Sequence, residues 1–177
     1  MKKICLVIAL AAYTIDAFAQ NNSSFSIQIP NIDITRPLSQ QYLSNAFGCT
    51  GKNIRPQLKW SNPPKNTKSF AITFYDKDAP TGSGFWQWIV IDIPKTTTVI
   101  EPFSLPKGAK QQKNDAGSIS WLGPCPPIGS THQYEIKVYA LNVENLPITF
   151  GNSAALIGYF LHLHSIGIAS QRLTVSR

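Results

Sequence analysis

Ser69-Phe70-Ala71-Ile72-Thr73-Phe74-Tyr75 runs directly into Asp76-Lys77-Asp78-Ala79-Pro80. The first part is apolar or β-branched on both faces, the pattern of a strand covered on both sides. The second part places two carboxylates and a rigid proline where that strand ends. In an extended backbone Asp76 and Asp78 project from one face roughly 7 Å apart. Such a pair either orients donors, holds a cation or works as acid and base, or one of the two caps the turn by accepting backbone N–H groups.

Outward from this segment, further strand patterns appear. Phe25, Ile27 and Ile29 alternate with polar residues, and Trp88 to Ile93 is a dense β-forming run closed by Pro94. From His132 to Leu141, Tyr134, Ile136, Val138 and Ala140 occupy one face, with Glu135 and Lys137 on the other. Proline and glycine clusters punctuate these runs as turns. One helix is predicted after Asn152 or Ser153, with Leu156, Tyr159, Phe160 and Leu163 at i, i+3, i+4 and i+7. It is apolar nearly all round and is expected to pack into the body. Lys95 to Ser120 shows weak periodicity and reads as a long loop. The expectation is a mainly β fold with helices at its edge.

The chain has 177 residues and a formal net charge of +7. Residues 1–19 read as a cleaved export signal: Lys2 and Lys3 precede the apolar run Ile4 to Tyr13, and Ala17-Phe18-Ala19 is the cleavage site. Residues 20–177 show no fixed repeat or linker and are expected to form one domain, periplasmic or secreted. Cys5 leaves with the signal. Cys49 and Cys125 remain, and in an oxidising compartment they are expected to form a disulfide. Lys107, Lys110 and Lys113 are the only local basic cluster, either simply solvated or able to favour anionic surfaces.

Other candidate residues lie in three short blocks. In Phe85-Trp86-Gln87-Trp88, alternation puts both Trp side chains on one face and Gln87 on the other, toward a polar cavity. Gly123-Pro124-Cys125-Pro126-Pro127 is a rigid turn, either a disulfide anchor or one whose few backbone N–H groups line an anion cavity. His132 and Tyr134 share a strand face. Thr81-Gly82-Ser83-Gly84 lacks the spacing of a nucleophile elbow, and no P-loop or dinucleotide fingerprint is present. His162 and His164 point about 200° apart on a helix and cannot grip one metal, although on a strand they could. No cofactor, metal or nucleic-acid partner is expected, and no catalytic residue is assigned.

Taken together these blocks resemble the phosphatidylethanolamine-binding protein family, also called Raf kinase inhibitor-like, and its bacterial YbhB/YbcL-like branch. The resemblance spans about Phe47 to Leu141. Asp76-Lys77-Asp78-Ala79-Pro80 followed by Trp86-Gln87-Trp88 is similar to the family's D-P-D-A-P and W-x-H-W. Gly48-Cys49-Thr50-Gly51-Lys52-Asn53, Leu58-Lys59-Trp60, Gly123 to Pro127 and His132-Gln133-Tyr134 follow its other motifs. The resemblance implies an antiparallel β-sandwich with peripheral helices, one near the C-terminus, and a small pocket for phosphate-like anions or phospholipid headgroups. It implies no general enzymatic reaction. It places Asp76, Pro80, His132, Tyr134 and the turn Gly123, Pro124 and Pro126 around that pocket, with a cis Ala79–Pro80 bond. Asp78 and Gln87 complete the candidate ligand-binding set. An alternative partner is a protease or signalling protein, since the family includes protease and kinase inhibitors. Gln87 stands where the family usually has a pocket His, Lys77 replaces a Pro, Gln133 an Arg, and Asp92 an Asn.

Overall fold

The computed structural model describes residues 24–149 and 151–177, so the expected leader at residues 1–19 lies outside the described residues. In chain order the elements are β1 (Ser26–Gln28), β2 (Leu58–Ser61), β3 (Ser69–Asp76), β4 (Phe85–Pro94), β5 (Val99–Ile100), β6 (Lys110–Gln111), β7 (Thr131–Leu141), α1 (Ala154–His164) and β8 (Ser165–Ser176). They form a 3-stranded antiparallel sheet, β1-β2-β5, and a 5-stranded antiparallel sheet, β6-β4-β3-β7-β8.

The strand that runs into Asp76, β3, is the centre of the larger sheet, and its two-sided apolar pattern reflects two cores. Phe70, Ile72 and Phe74 face the smaller sheet and pack with Leu58, Trp60, Ile100, Trp88, Ile136 and Val138. Ala71 faces the other way, with Ile89, Ile91, Tyr139 and Leu141, against Ala154, Ile157 and Leu161 of α1. Each fully buried large side chain contributes about 1.5–3 kcal/mol through removal of apolar area from water. Arg55 is buried and ties down the long segment before β6. Its Nη2 donates to the carbonyls of Glu101 (2.6 Å) and Ser104 (2.7 Å) while its guanidinium lies 4.8 Å over the Trp88 ring. Burial lowers the Arg55 pKa to about 10.

Three expectations are corrected. Trp86 and Trp88 do not share a face: Trp88 sits between the sheets, whereas Trp86 packs against the helix-side core. The cause is a bulge. Phe74 pairs with Trp88 and Tyr75 with Trp86, leaving Gln87 as an extra residue that breaks the alternation. The helix buries Ala154, Ile157 and Leu161, while Leu156, Tyr159 and Leu163 are exposed. Small Ala154 and Gly158 allow that inner face to approach the sheet, and a Cβ at Gly158 would stand 3.3 Å from the Trp86 ring. Finally, no cis peptide bond occurs among the described residues, so Ala79–Pro80 is trans. The chain reverses there through a tight turn in which Thr81 N–H donates to the Ala79 carbonyl at 2.8 Å.

Candidate functional site

At the end of β3 the antiparallel register sets Asp76 opposite Tyr134 of β7, and His132 lies two residues beyond, on the same face. Sequence separation of 56 residues is thereby closed to a 2.8 Å contact between Asp76 Oδ2 and His132 Nδ1, both residues being 6% exposed. A carboxylate accepts, so the proton of this bond lies on Nδ1, and Nε2 is the ring atom left for other partners. The second oxygen, Asp76 Oδ1, accepts from the Asp78 backbone N–H at 3.0 Å. Pairing on both oxygens fixes the carboxylate plane.

Asp78 does not stand beside Asp76 in the cavity. β3 ends at Asp76, the backbone turns, and Asp78 Oδ2 accepts from the Gln133 N–H at 2.6 Å, clamping the turn onto β7. The Gly123 to Pro126 turn is likewise a support behind the site and offers no set of free donors. Gly123 N–H is taken by Asn53 Oδ1 (2.7 Å), the Gly123 carbonyl by Gln87 Nε2 (2.9 Å), and the Pro124 carbonyl by Ser44 N–H (3.0 Å). A Cβ at position 123 would fall 2.3 Å from the Tyr42 carbonyl oxygen, so only glycine lets these segments meet. Pro126 faces a separate shallow hollow beside Cys49 and Thr50. From this turn Cys125 does reach the site, joined to Cys49 by a disulfide.

What assembles is a cavity of about 330 Å³ lined by Asp76, Pro80, Gln87, His132 and Tyr134, with Phe47, Phe85, Leu122 and Pro127 as apolar walls and Arg177 as a cation. The Tyr134 hydroxyl and Gln87 Oε1 are buried there with no hydrogen-bond partner among the described residues. Burial first, and the Asp76 charge second, raise the Tyr134 pKa, so its hydroxyl remains a donor across the ordinary pH range. Arg177 Nη2 donates to the Gly48 carbonyl and Nη1 lies 3.4 Å from Cys125 Sγ, holding the guanidinium against the disulfide wall. Phe47, 65% exposed, packs edge-on against Phe85 at 6.3 Å and forms part of that wall.

Sequence reasoning missed Phe47, Phe85, Leu122, Pro127 and Arg177 as lining residues. Phe47 carries one signal, its place two residues before Cys49. Arg177 carries none, because only the tertiary fold brings it to Cys125. A second hollow, about 540 Å³, lies beside Asp92, Lys110 and Gln112. There Asp92, with a left-handed φ of 55°, accepts from Leu146 N–H (2.8 Å) and Lys110 Nζ (2.9 Å).

The phosphatidylethanolamine-binding protein family profile matches residues 33–176. UPF0098 protein YbcL of Escherichia coli K12 is 40% identical over 177 residues, covering 96% of this chain and 95% of that protein. UPF0098 protein YbhB of the same strain is 40% identical over 139 residues, 75% of this chain and 88% of the relative. Among solved structures, E. coli YbcL, described as a new member of the mammalian PEBP family, superposes with a TM-score of 0.83 at 39% identity, covering 88% of this chain and 99% of that one. A phosphatidylethanolamine-binding protein homologue of Chlamydia trachomatis superposes with a TM-score of 0.74 at 25% identity, covering 87% and 98%.

Proposed function

The chain belongs to the phosphatidylethanolamine-binding protein family, and from that premise we propose that it is an exported, non-enzymatic binding protein whose cavity takes a phosphate-like anion or a phospholipid headgroup. The observation that carries this reading is the meeting, in one cavity, of the Asp76-oriented His132 ring, the unpartnered Tyr134 hydroxyl and the Arg177 guanidinium. Tyr134 and Arg177 can present hydrogen toward one small oxyanion, His132 adds Nε2–H when its imidazole is protonated, and a buried donor without a partner carries a desolvation cost that such an anion would relieve. Binding is favoured over catalysis because Asp76 already accepts on both oxygens, which makes it a support for His132. Export is supported by the Cys49–Cys125 disulfide, a bond that persists in oxidising compartments.

Thermal denaturation with phosphate, phosphoethanolamine and acetate tests the reading. A ligand at a hundred times its dissociation constant stabilises by about 2.7 kcal/mol, which raises the melting temperature by several degrees. His132→Ala is expected to remove that rise, and absence of any rise with the unaltered protein at millimolar ligand overturns the proposal.

A further inference from the structure

Gln87 stands on the bulge of β4 and is 5% exposed, and its amide orientation is fixed by chemistry: Nε2 donates to the Gly123 carbonyl, so Oε1 is the atom left over. That oxygen is buried and accepts from nothing among the described residues, and Gln87 is one of the residues that line the same cavity. An acceptor can be satisfied only by a donor. The cavity's other acceptors are the Asp76 carboxylate, whose two oxygens have lone pairs beyond the two bonds they make, and His132 Nε2 when the ring is neutral. A fully deprotonated oxyanion seated against His132, Tyr134 and Arg177 would therefore turn bare oxygens toward Gln87 Oε1 and Asp76.

We infer that the cavity selects oxyanions that carry a hydrogen-bond donor of their own, with Gln87 Oε1 receiving it. The inference rests on the anion reading above and narrows it. Hydrogen phosphate and phosphomonoesters meet the requirement through P–OH, and a phosphodiester headgroup meets it through an ammonium N–H. Sulfate and a choline headgroup have no such hydrogen. Leaving a buried acceptor unpaired against the wrong ligand is worth about tenfold or more in affinity. The alternation-breaking residue is thus a specificity device. A His at this position, facing the cavity with an N–H, would tolerate either kind of anion.

The test is calorimetric titration of the unaltered protein with two matched pairs, phosphate against sulfate and the methyl diester of phosphoethanolamine against that of phosphocholine, diesters that carry no free hydroxyl. The first pair isolates a free ion with a P–OH, the second a lipid headgroup with an ammonium. The expected result is that in each pair that binds, the donor-bearing member binds about tenfold or more tightly. In Gln87→His the ratio is expected to fall toward one, chiefly through tighter binding of the donor-free member. Equal affinity within both pairs for the unaltered protein overturns the inference while leaving the anion site standing. No binding of any of the four overturns the anion site itself. Because the pairs are compared on the natural chain, the outcome does not depend on how well the variant folds.

Discussion

Tyr134 and Gln87 are buried polar residues that the fold itself leaves incomplete, and that sets stability against binding at single positions. Tyr134→Phe removes a hydroxyl that has no well-formed hydrogen bond among the described residues while keeping the ring that packs 5.6 Å from Phe74. Urea denaturation is expected to show unchanged or slightly higher stability, by up to about 1 kcal/mol. The same substitution is expected to weaken phosphate binding about tenfold, the loss of one charge-assisted hydrogen bond. A parallel loss of stability would mean that the hydroxyl has a partner within the fold. The two aspartates separate in the same manner. Asp76→Asn disrupts the support of His132 and is expected to abolish the phosphate response, whereas Asp78→Asn weakens only the clamp on Gln133 N–H, with a stability loss within about 1 kcal/mol and binding retained. From sequence, one Asp of the pair could be recognised as a turn residue, but which one depended on where β3 stopped, and that is a property of the register with β7.

At the scale of elements, β3 and β7 were legible because their patterns have one period from end to end. β8 was not. Its inward positions begin with Ser165, Gly167 and Ala169 while Ile166 and Ile168 point outward, so apolar residues mark the wrong face until Leu173 and Val175. The helix misled for a related reason: Leu156, Tyr159 and Leu163 are outside, while the inner face combines Ile157 and Leu161 with the small Ala154 and Gly158, where close approach to the sheet matters. β4 defeats simple alternation twice, at Gln87 and again where Ile91 and Asp92 together oppose Ala71 between the Phe70–Ile93 and Ile72–Val90 pairs. The second bulge places Asp92 in the left-handed region, a conformation that Asn and Asp adopt more readily than other non-glycine residues. Asp92→Asn keeps an acceptor for Leu146 N–H and gives up mainly the ion pair with Lys110, whose side chain is 61% exposed. Chemical denaturation is expected to register a loss of no more than about 1 kcal/mol. Asp92→Ala strands the Leu146 N–H as well and strains the backbone, so its loss is expected to reach about 2–4 kcal/mol. Equal effects of the two substitutions would assign the role of Asp92 to charge instead of backbone geometry.

Across the whole molecule, the cavity draws on Phe47, the β3–β4 turn, the Gly123–Pro127 segment, the start of β7 and Arg177, so no local stretch contains it. That is why motif reading found its floor and missed much of its wall: the floor lies on paired strands with strong patterns, the wall on segments held by crosslinks. The principal crosslink is Cys49–Cys125, which spans 76 residues and sets the Phe47 segment against the Gly123 turn. Closing a loop of that length restricts the unfolded chain by roughly 4 kcal/mol, a large share of the 5–15 kcal/mol by which single domains are stable. Cys49→Ser/Cys125→Ser is therefore expected to lower the unfolding free energy in urea by roughly 4 kcal/mol. The same variant is expected to bind phosphate more weakly than the parent even under conditions where it is fully folded, since Arg177 and Phe47 lose the wall that positions them. The two readouts divide the disulfide's roles. A shifted urea midpoint with intact phosphate affinity would restrict the crosslink to stability, and an unshifted midpoint would show that the unfolded chain is already as constrained without it.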